Sequence, residues 1–349
     1  MTDVERGRAS TGSIEAGLLE YYRRRHPERE GVVIFEFEEI TMGWETELYS
    51  FNVRFRCDGR EIEEGRVVRL YQGDHASRKA AQEFGVMSRL LDCGYPVPEV
   101  YLLETEAGIL GKPFVIMERV EGVNMDVAIR EGSEKDLQQM LGLLVGLFVD
   151  LHRLDVSPVF PGREDTTTLS YIEGMLRWSG ERAGRSGIGW LDPVISWLDE
   201  RKANVFPVEP SVIHRDFHPM NVMLREDGSP AVIDWSAATV GDYRDDLAWT
   251  VLLAVTFWDP SLRDTILGAY ESISGREIRG FEYFEVLSTL RRLTDVAVSL
   301  TSGAEEMGMR AGAVEMMREA SDHIHKVYEL LKERTGLRLP EFEELLRTL

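Results

Sequence analysis

Along this 349-residue chain the spacing of apolar residues changes once, near residue 120, and that change limits the architectures open to it. Before it, apolar residues come in strand-length runs: Val32 to Phe37, Leu48 to Phe55, and Arg66 to Tyr71. The second run alternates apolar and polar residues from Tyr49 onward, and Asp58-Gly59 follows as a turn signal, which together predict an antiparallel meander. One helical stretch, from about Ala76 to Leu91, is closed by Gly94, Pro96 and Pro98. Further strand candidates run from Glu99 to Glu104 and from Phe114 to Glu118. Beyond Gly122, Leu137, Met140, Leu141, Leu144, Phe148 and Leu151 recur at helical spacing behind a capping box at Ser133 and Asp136, predicting a helix buried on most sides. The expected fold class is α+β in two lobes: a small antiparallel sheet lobe with one helix (31–120) and a larger, mainly helical lobe (121–349). Residues 1–30, with Gly7, Gly12 and Gly17, read as a mobile lead-in containing one short helix.

Charge removes several partners from consideration. The chain has 61 Asp and Glu against 40 Lys and Arg, a formal net charge of −21, so no nucleic-acid partner is expected. Arg23-Arg24-Arg25 is too short a patch to alter that. No apolar run reaches the roughly 18 residues of a membrane span, and the N-terminus lacks a signal-like apolar core. The expectation is therefore a cytoplasmic protein with no membrane partner. Cys57 and Cys93, the only two cysteines, cannot build a disulfide framework or a cysteine-rich zinc site. Oligomeric state is not legible.

Chemistry concentrates in Val212-Ile213-His214-Arg215-Asp216-Phe217-His218-Pro219-Met220-Asn221 and the residues through Trp235. Two short apolar runs flank Asp227-Gly228, a hairpin signal. With a two-residue turn there, Asn221 falls directly opposite Asp234, and a carboxamide and a carboxylate converge. Two hard oxygen ligands suit Mg²⁺. Asp216 enters the hairpin five residues earlier, where it could reach a substrate hydroxyl. Other readings stay open at this point. His214, Asp216 and His218 alternate and could bind a metal as in a hydrolase, while singly Asp216 is a loop or cap carboxylate and Asn221 a turn residue.

His214-x-Asp216-x4-Asn221, then Ile233-Asp234-Trp235, then Gly241-Asp242-Tyr243-Arg244-Asp245-Asp246-Leu247-Ala248, resembles the aminoglycoside phosphotransferase and choline kinase family, a branch of the protein-kinase-like fold. The resemblance runs over roughly residues 32 to 300. It implies that Asp216 is the catalytic base or hydroxyl-orienting residue, that His214 supports its loop, and that Asn221 and Asp234 hold Mg²⁺. Asp246 looks like a structural carboxylate in an N-cap-like place before the next helix. By the same resemblance Arg69 contacts nucleotide phosphates with Glu83 as its acidic partner, Gly43 lies in the nucleotide loop, and backbone groups of Glu118 and Val120 meet the purine of ATP or GTP. Arg69 stands where protein kinases use lysine, and the nucleotide loop around Gly43 has a single glycine beside Glu45 and Glu47. A solvated strand-to-helix ion pair for Arg69 and Glu83, and a plain hairpin turn at Gly43, are the plainer alternatives.

The implied activity is Mg²⁺-dependent transfer of a γ-phosphoryl group to a hydroxyl of a small-molecule acceptor, with a nucleotide-binding regulator lacking turnover as the alternative. The stretch from Trp235 to Gly241 is too short for the activation and peptide-docking segment of a protein kinase. Trp178, Trp190, Trp197, Trp249, Phe257 and Trp258 read as core or as a substrate wall. Asp165, Glu173, Asp259, Glu282 and Asp295 are acceptor-contact candidates with no motif behind them.

Overall fold

The computed structural model describes residues 3–40, 47–73, 75–301 and 321–347. It divides into two compact units, Met1–Asp92 with Pro96–Glu121, and Cys93–Tyr95 with Gly122–Leu349.

The first unit contains helix α1 (Asp3–Arg25), strands β1 (Glu30–Ile40), β2 (Glu47–Cys57) and β3 (Arg60–Leu70), helix α2 (Ala76–Asp92), and strands β4 (Val100–Glu104) and β5 (Phe114–Glu118). The strands form one antiparallel sheet in the order β1-β2-β3-β5-β4. Asp58 and Gly59, at φ 51° and 74°, close the β2–β3 hairpin with Cys57 opposite Arg60. Positive φ at both positions is what a two-residue turn needs to follow strand twist. Strand periodicity then separates two faces. Tyr49, Phe51, Val53, Phe55, Val68 and Leu70 are buried in one core, and Arg69 and Tyr71, of opposite parity, both reach Glu83 on α2.

The lead-in expected at residues 1–30 is instead part of this core. Ile14, Leu18 and Tyr22, spaced four apart on α1, pack with the sheet residues just named. Gly17 does not signal flexibility. A Cβ there would stand 2.9 Å from Leu110 Cδ2 and 3.2 Å from the Ile109 carbonyl oxygen, so the glycine admits close approach of the 109–110 segment. Tertiary packing has overridden the weak helix propensity that suggested a mobile tail.

The second unit contains β6 (Gly122–Asn124), helices α3 (Met125–Glu131), α4 (Glu134–Arg153), α5 (Val156–Val159), α6 (Thr168–Arg185) and α7 (Asp192–Arg201), then β7 (Ser211–Ile213), β8 (Val222–Arg225), β9 (Pro230–Val232) and β10 (Thr239–Gly241). Helices α8 (Tyr243–Phe257), α9 (Leu262–Ser274), α10 (Phe281–Thr301), α11 (Ser321–Thr335) and α12 (Pro340–Leu346) follow. Strands β6, β8 and β9 form one small sheet, and β7 pairs with β10. Residues 93–95 belong here because the Tyr95 hydroxyl donates to the Leu147 carbonyl at 3.0 Å and its ring meets Trp235 edge-on. Gly122 is obligatory, since a Cβ would stand 2.0 Å from the Leu224 carbonyl oxygen.

The capping box at Ser133 and Asp136 opens α4 as expected. The buried residues of α4 begin only at Leu144, however, and Leu137 is exposed, so the helix is not buried on most sides along its full length. Helix α8 is the element enclosed nearly all round. Its N-cap is Asp242, whose Oδ1 accepts from the Arg244 amide at 3.0 Å. Asp246, read from sequence as N-cap-like, sits one turn further in and has another role. Among the described residues no helix is long and apolar enough to cross a membrane.

Candidate active site

The site in the second unit is built on the segment between β7 and β8. Strand β7 stops at Ile213, and the chain leaves it through Arg215, held in the left-handed region at φ 70°. A non-glycine residue there costs about 1–3 kcal/mol and persists only where its surroundings over-determine it. The surroundings are identifiable. Asp246 Oδ2 accepts the His214 amide at 2.7 Å and Oδ1 accepts the Arg215 amide at 2.6 Å, with His152 Nε2 3.3 Å from Oδ2. Downstream, Thr250 donates to the Phe217 carbonyl at 2.7 Å. One face of α8 thus fixes the loop backbone from beneath.

His214 is fully buried and braces the loop from within. Its Nδ1 accepts the Asp216 amide at 3.2 Å and its Nε2 lies 3.0 Å from the Ile233 carbonyl oxygen. An amide can only donate and a carbonyl can only accept, which fixes the proton on Nε2. With both nitrogens engaged, His214 has none left for a metal, and the segment is not a strand that would align it with Asp216 and His218. Among the described residues no group of three or more His, Cys, Asp or Glu could hold a metal ion.

Asp216 is a third exposed, at 35% for its side chain. Its Oδ1 accepts the Trp249 indole N–H at 2.8 Å, and its Oδ2 lies 3.5 Å from His218 Nε2. Burial works to raise its pKa, but His218, Arg291 and the indole outweigh burial and hold the carboxyl far below the usual range. The same pairing acts on His218. Burial pulls its pKa down, while Asp216, Asp234 and Asp126 together carry it above the ordinary histidine value. Asp234, after β9, is held at φ 64°, and Ser236 donates to its Oδ1 at 3.0 Å.

The hairpin register differs by one residue from the sequence reading. Val222 faces Val232, and the Ile233 amide donates to the Asn221 carbonyl at 2.9 Å, so Asn221 is opposite Ile233 and not Asp234. The cause is the loop. Glu226-Asp227-Gly228 forms three residues, not two, with Gly228 at φ 81° and Asp227 Oδ1 accepting from the amide and hydroxyl of Ser229. Asn221 and Asp234 nevertheless border the same group, Asn221 Nδ2 being 3.3 Å from His218 Nε2 and Asp234 acting on that imidazole's charge. The Asn221 amide nitrogen donates to the Asp216 carbonyl at 2.8 Å, which orients its Oδ1 as the remaining ligand atom. An amide oxygen and a carboxylate are donors of the hard kind that Mg²⁺ takes, so these residues fit that ion.

In the first unit, Arg69 Nη1 donates to Glu83 Oε1 at 2.7 Å, and Tyr71 donates to Glu83 Oε2 at 2.5 Å. The pair is buried, at 6% and 1% side-chain exposure, and is not the solvated surface pair that was the alternative. Glu118 closes β5 opposite Arg66, with its amide donating to the Glu99 carbonyl at 2.8 Å, and Val120 follows beyond the strand. Gly43 lies outside the described residues. Sequence reasoning did not assign Trp249 or His218 to Asp216. Trp249 appears only in the core-or-wall aromatic set, and it is 33 residues away with no periodic signal linking the two.

A family model described as the phosphotransferase enzyme family matches residues 46–282. The chain belongs to this phosphotransferase family. It is 28% identical over 191 residues to acyl-CoA dehydrogenase family member 11 of Rattus norvegicus, a match covering 53% of this chain and 24% of that protein. The chain thus spans about a quarter of that curated relative's length. Among solved structures, a provisionally named aminoglycoside phosphotransferase from Ralstonia eutropha JMP134 superposes with a TM-score of 0.64 at 18% identity, covering 91% of this chain and 98% of that one. A thermostable mutant of aminoglycoside phosphotransferase APH(4)-Ia, in ternary complex with AMP-PNP and hygromycin B, gives 0.59 at 18%, covering 93% and 100%. These likenesses show the kinase-like phosphotransferase fold, with its small antiparallel sheet and larger helical part.

Proposed function

We propose that this phosphotransferase is a Mg²⁺-dependent small-molecule kinase that moves the γ-phosphoryl group of ATP or GTP to an acceptor hydroxyl. The observation that carries the reading is Asp216: an ionised, partly exposed carboxylate aimed by an indole, on a loop whose backbone is clamped by Asp246. Phosphoryl transfer asks little covalent chemistry of a protein and much positioning. Asp216 accepts the hydrogen bond of the acceptor hydroxyl and orients its lone pair. A carboxyl kept so acidic removes the proton late, as the new P–O bond forms, and not in advance. His214 holds the Asp216 amide, and His218 keeps Asp216 charged. Asn221 and Asp234 would hold Mg²⁺, which offsets phosphate charge when bound.

In the sheet unit Arg69, kept in place by Glu83, answers the nucleotide phosphates, and backbone groups of Glu118 and Val120 meet the purine. The AMP-PNP complex of the similar aminoglycoside phosphotransferase supports ATP, and its hygromycin B supports a small-molecule acceptor. Two free cysteines among the described residues suit a reducing, cytoplasmic setting. The test is ADP or GDP formation from each Mg²⁺ nucleotide with a panel of hydroxylated acceptors. Acceptor-stimulated turnover with incorporation of the γ-phosphate into the acceptor is expected. Nucleotide binding with no transfer to any acceptor would favour the regulator.

A further inference from the structure

Three arginines stand around the catalytic loop, and none forms an ion pair within 4.0 Å of a carboxylate among the described residues. Arg291, on α10, lies with its guanidinium carbon 3.9 Å over the Trp249 ring and donates to the Arg215 carbonyl at 2.6 Å. Arg292, beside it, donates from Nε to His323 Nε2 at 2.9 Å. Among the described residues the Arg215 side chain donates to the Met175 sulfur at 3.4 Å, and its buried Nε has no hydrogen-bond partner. The nearby acids make their direct contacts elsewhere, Asp295 with Arg182 at 3.4 Å, Asp245 with the Tyr171 hydroxyl at 2.6 Å and Asp246 with the loop amides, and reach the arginines only through space. Asp245, Asp295 and Asp246 thereby support the Arg215 charge, whereas at Arg291 and Arg292 burial outweighs Asp295 and Asp216 and lowers both pKa values.

The arrangement around Arg292 is built to keep that cation in place without neutralising it. Burial, and then the charges of Arg292 and Lys326, push the His323 pKa down to about 3, so the ring is neutral and its Nε2 accepts the Arg292 N–H. His323 Nδ1 lies 2.8 Å from Thr256 Oγ1, and the Phe257 ring stacks on the imidazole at 3.9 Å. Among the described residues the guanidinium is anchored through Nε, and its terminal nitrogens form the planar fork that matches a carboxylate or phosphate.

In a chain with 61 acidic and 40 basic residues, partly buried cations such as Arg291 and Arg292, whose direct contacts are an indole, a carbonyl and an imidazole, are the exception. Burial of charge with counter-charges only at a distance is unfavourable, and a bound anion relieves it. Trp249 links the two features, carrying Arg291 on its face and Asp216 on its N–H. We infer that the acceptor bears an anionic group, a carboxylate or a phosphate ester, bound by Arg292 and Arg291 while its hydroxyl meets Asp216. This rests on the kinase reading and narrows it, since a purely cationic acceptor would be repelled here.

The test uses matched acceptors, hydroxy-carboxylates and hydroxyalkyl phosphates against their neutral amides and alcohols and against aminoglycosides, with the full chain, Arg292→Gln and Arg292→Lys. Melting temperature is measured in parallel with inorganic phosphate and acetate at constant ionic strength. The expected result is at least a tenfold higher kcat/KM for the anionic member of a pair, lost in Arg292→Gln through KM and partly kept in Arg292→Lys, with nucleotide affinity unchanged. Which anion wins separates carboxylate from phosphate. Transfer to neutral or cationic acceptors that Arg292→Gln leaves intact overturns this inference and leaves the kinase reading standing. So does a variant that weakens nucleotide binding instead. If no acceptor is phosphorylated, the kinase reading fails, and the melting curves decide the anion site alone. Saturable, Arg292-dependent stabilisation by phosphate or acetate supports it, and its absence overturns it.

Discussion

Asp246 and Asp216 lie on opposite sides of one loop, and the chain surrounds them differently. Asp246 is fully buried, and both its oxygens accept backbone amides of the residues just before Asp216. Asp216 is a third exposed, and its carboxylate is met by an indole, by His218 at 3.5 Å and by the side-chain nitrogen of Asn221 at 3.4 Å. A carboxylate whose oxygens are taken by buried main chain can set geometry and cannot meet a substrate. One held by side chains beside water keeps lone pairs that an incoming hydroxyl can reach. The comparison teaches that acidic residue type alone does not mark a catalytic group: what answers each oxygen does.

The largest effect that would break this comparison comes from Asp246→Ala. It leaves two loop amides without acceptors, each buried orphan costing about 1–3 kcal/mol, so a loss on the order of 3 kcal/mol in unfolding free energy is expected. Chemical denaturation measures it, and a variant as stable as the parent would remove Asp246 from its structural role. A smaller effect sharpens the other side. Trp249→Phe deletes the N–H that aims Asp216 but keeps a ring under Arg291. Water can replace the donor at a partly exposed carboxylate, so stability should change by less than about 1 kcal/mol, while turnover falls by roughly tenfold as one hydrogen bond of about 1–1.5 kcal/mol is lost from the oriented state. Equal losses in both would mean that Trp249 serves packing alone.

Much of the sheet unit was legible because its signals are local. The alternation from Tyr49 onward, the Asp58-Gly59 turn and the helix closed before Gly94 all appear in the structure near their expected places. The hairpin shows where locality fails. Asp58-Gly59 makes a two-residue turn, whereas Asp227-Gly228 is drawn into a three-residue loop by Ser229, and that one residue moves Asn221 out from opposite Asp234. The same dipeptide thus gives two registers, decided by its neighbour. Helix α1 was missed because its glycines suggested flexibility, when Gly17 answers a close approach by residues distant in sequence. The partners of Asp216 were missed for a similar reason. Trp249 and Arg291 arrive from α8 and α10, and only tertiary packing brings them to the loop.

The most direct test of the central claim is transfer of a labelled γ-phosphate to acceptor by Asp216→Asn beside the parent protein, with nucleotide affinity and melting temperature measured on the same samples. The variant keeps the side-chain shape and removes the charge. Positioned acid–base groups contribute about 10²–10⁴-fold, so transfer should fall by that factor while nucleotide affinity and melting temperature stay close to the parent's. Undiminished transfer in a well-folded variant would contradict the assignment of Asp216 and, with it, the contrast between the two carboxylates.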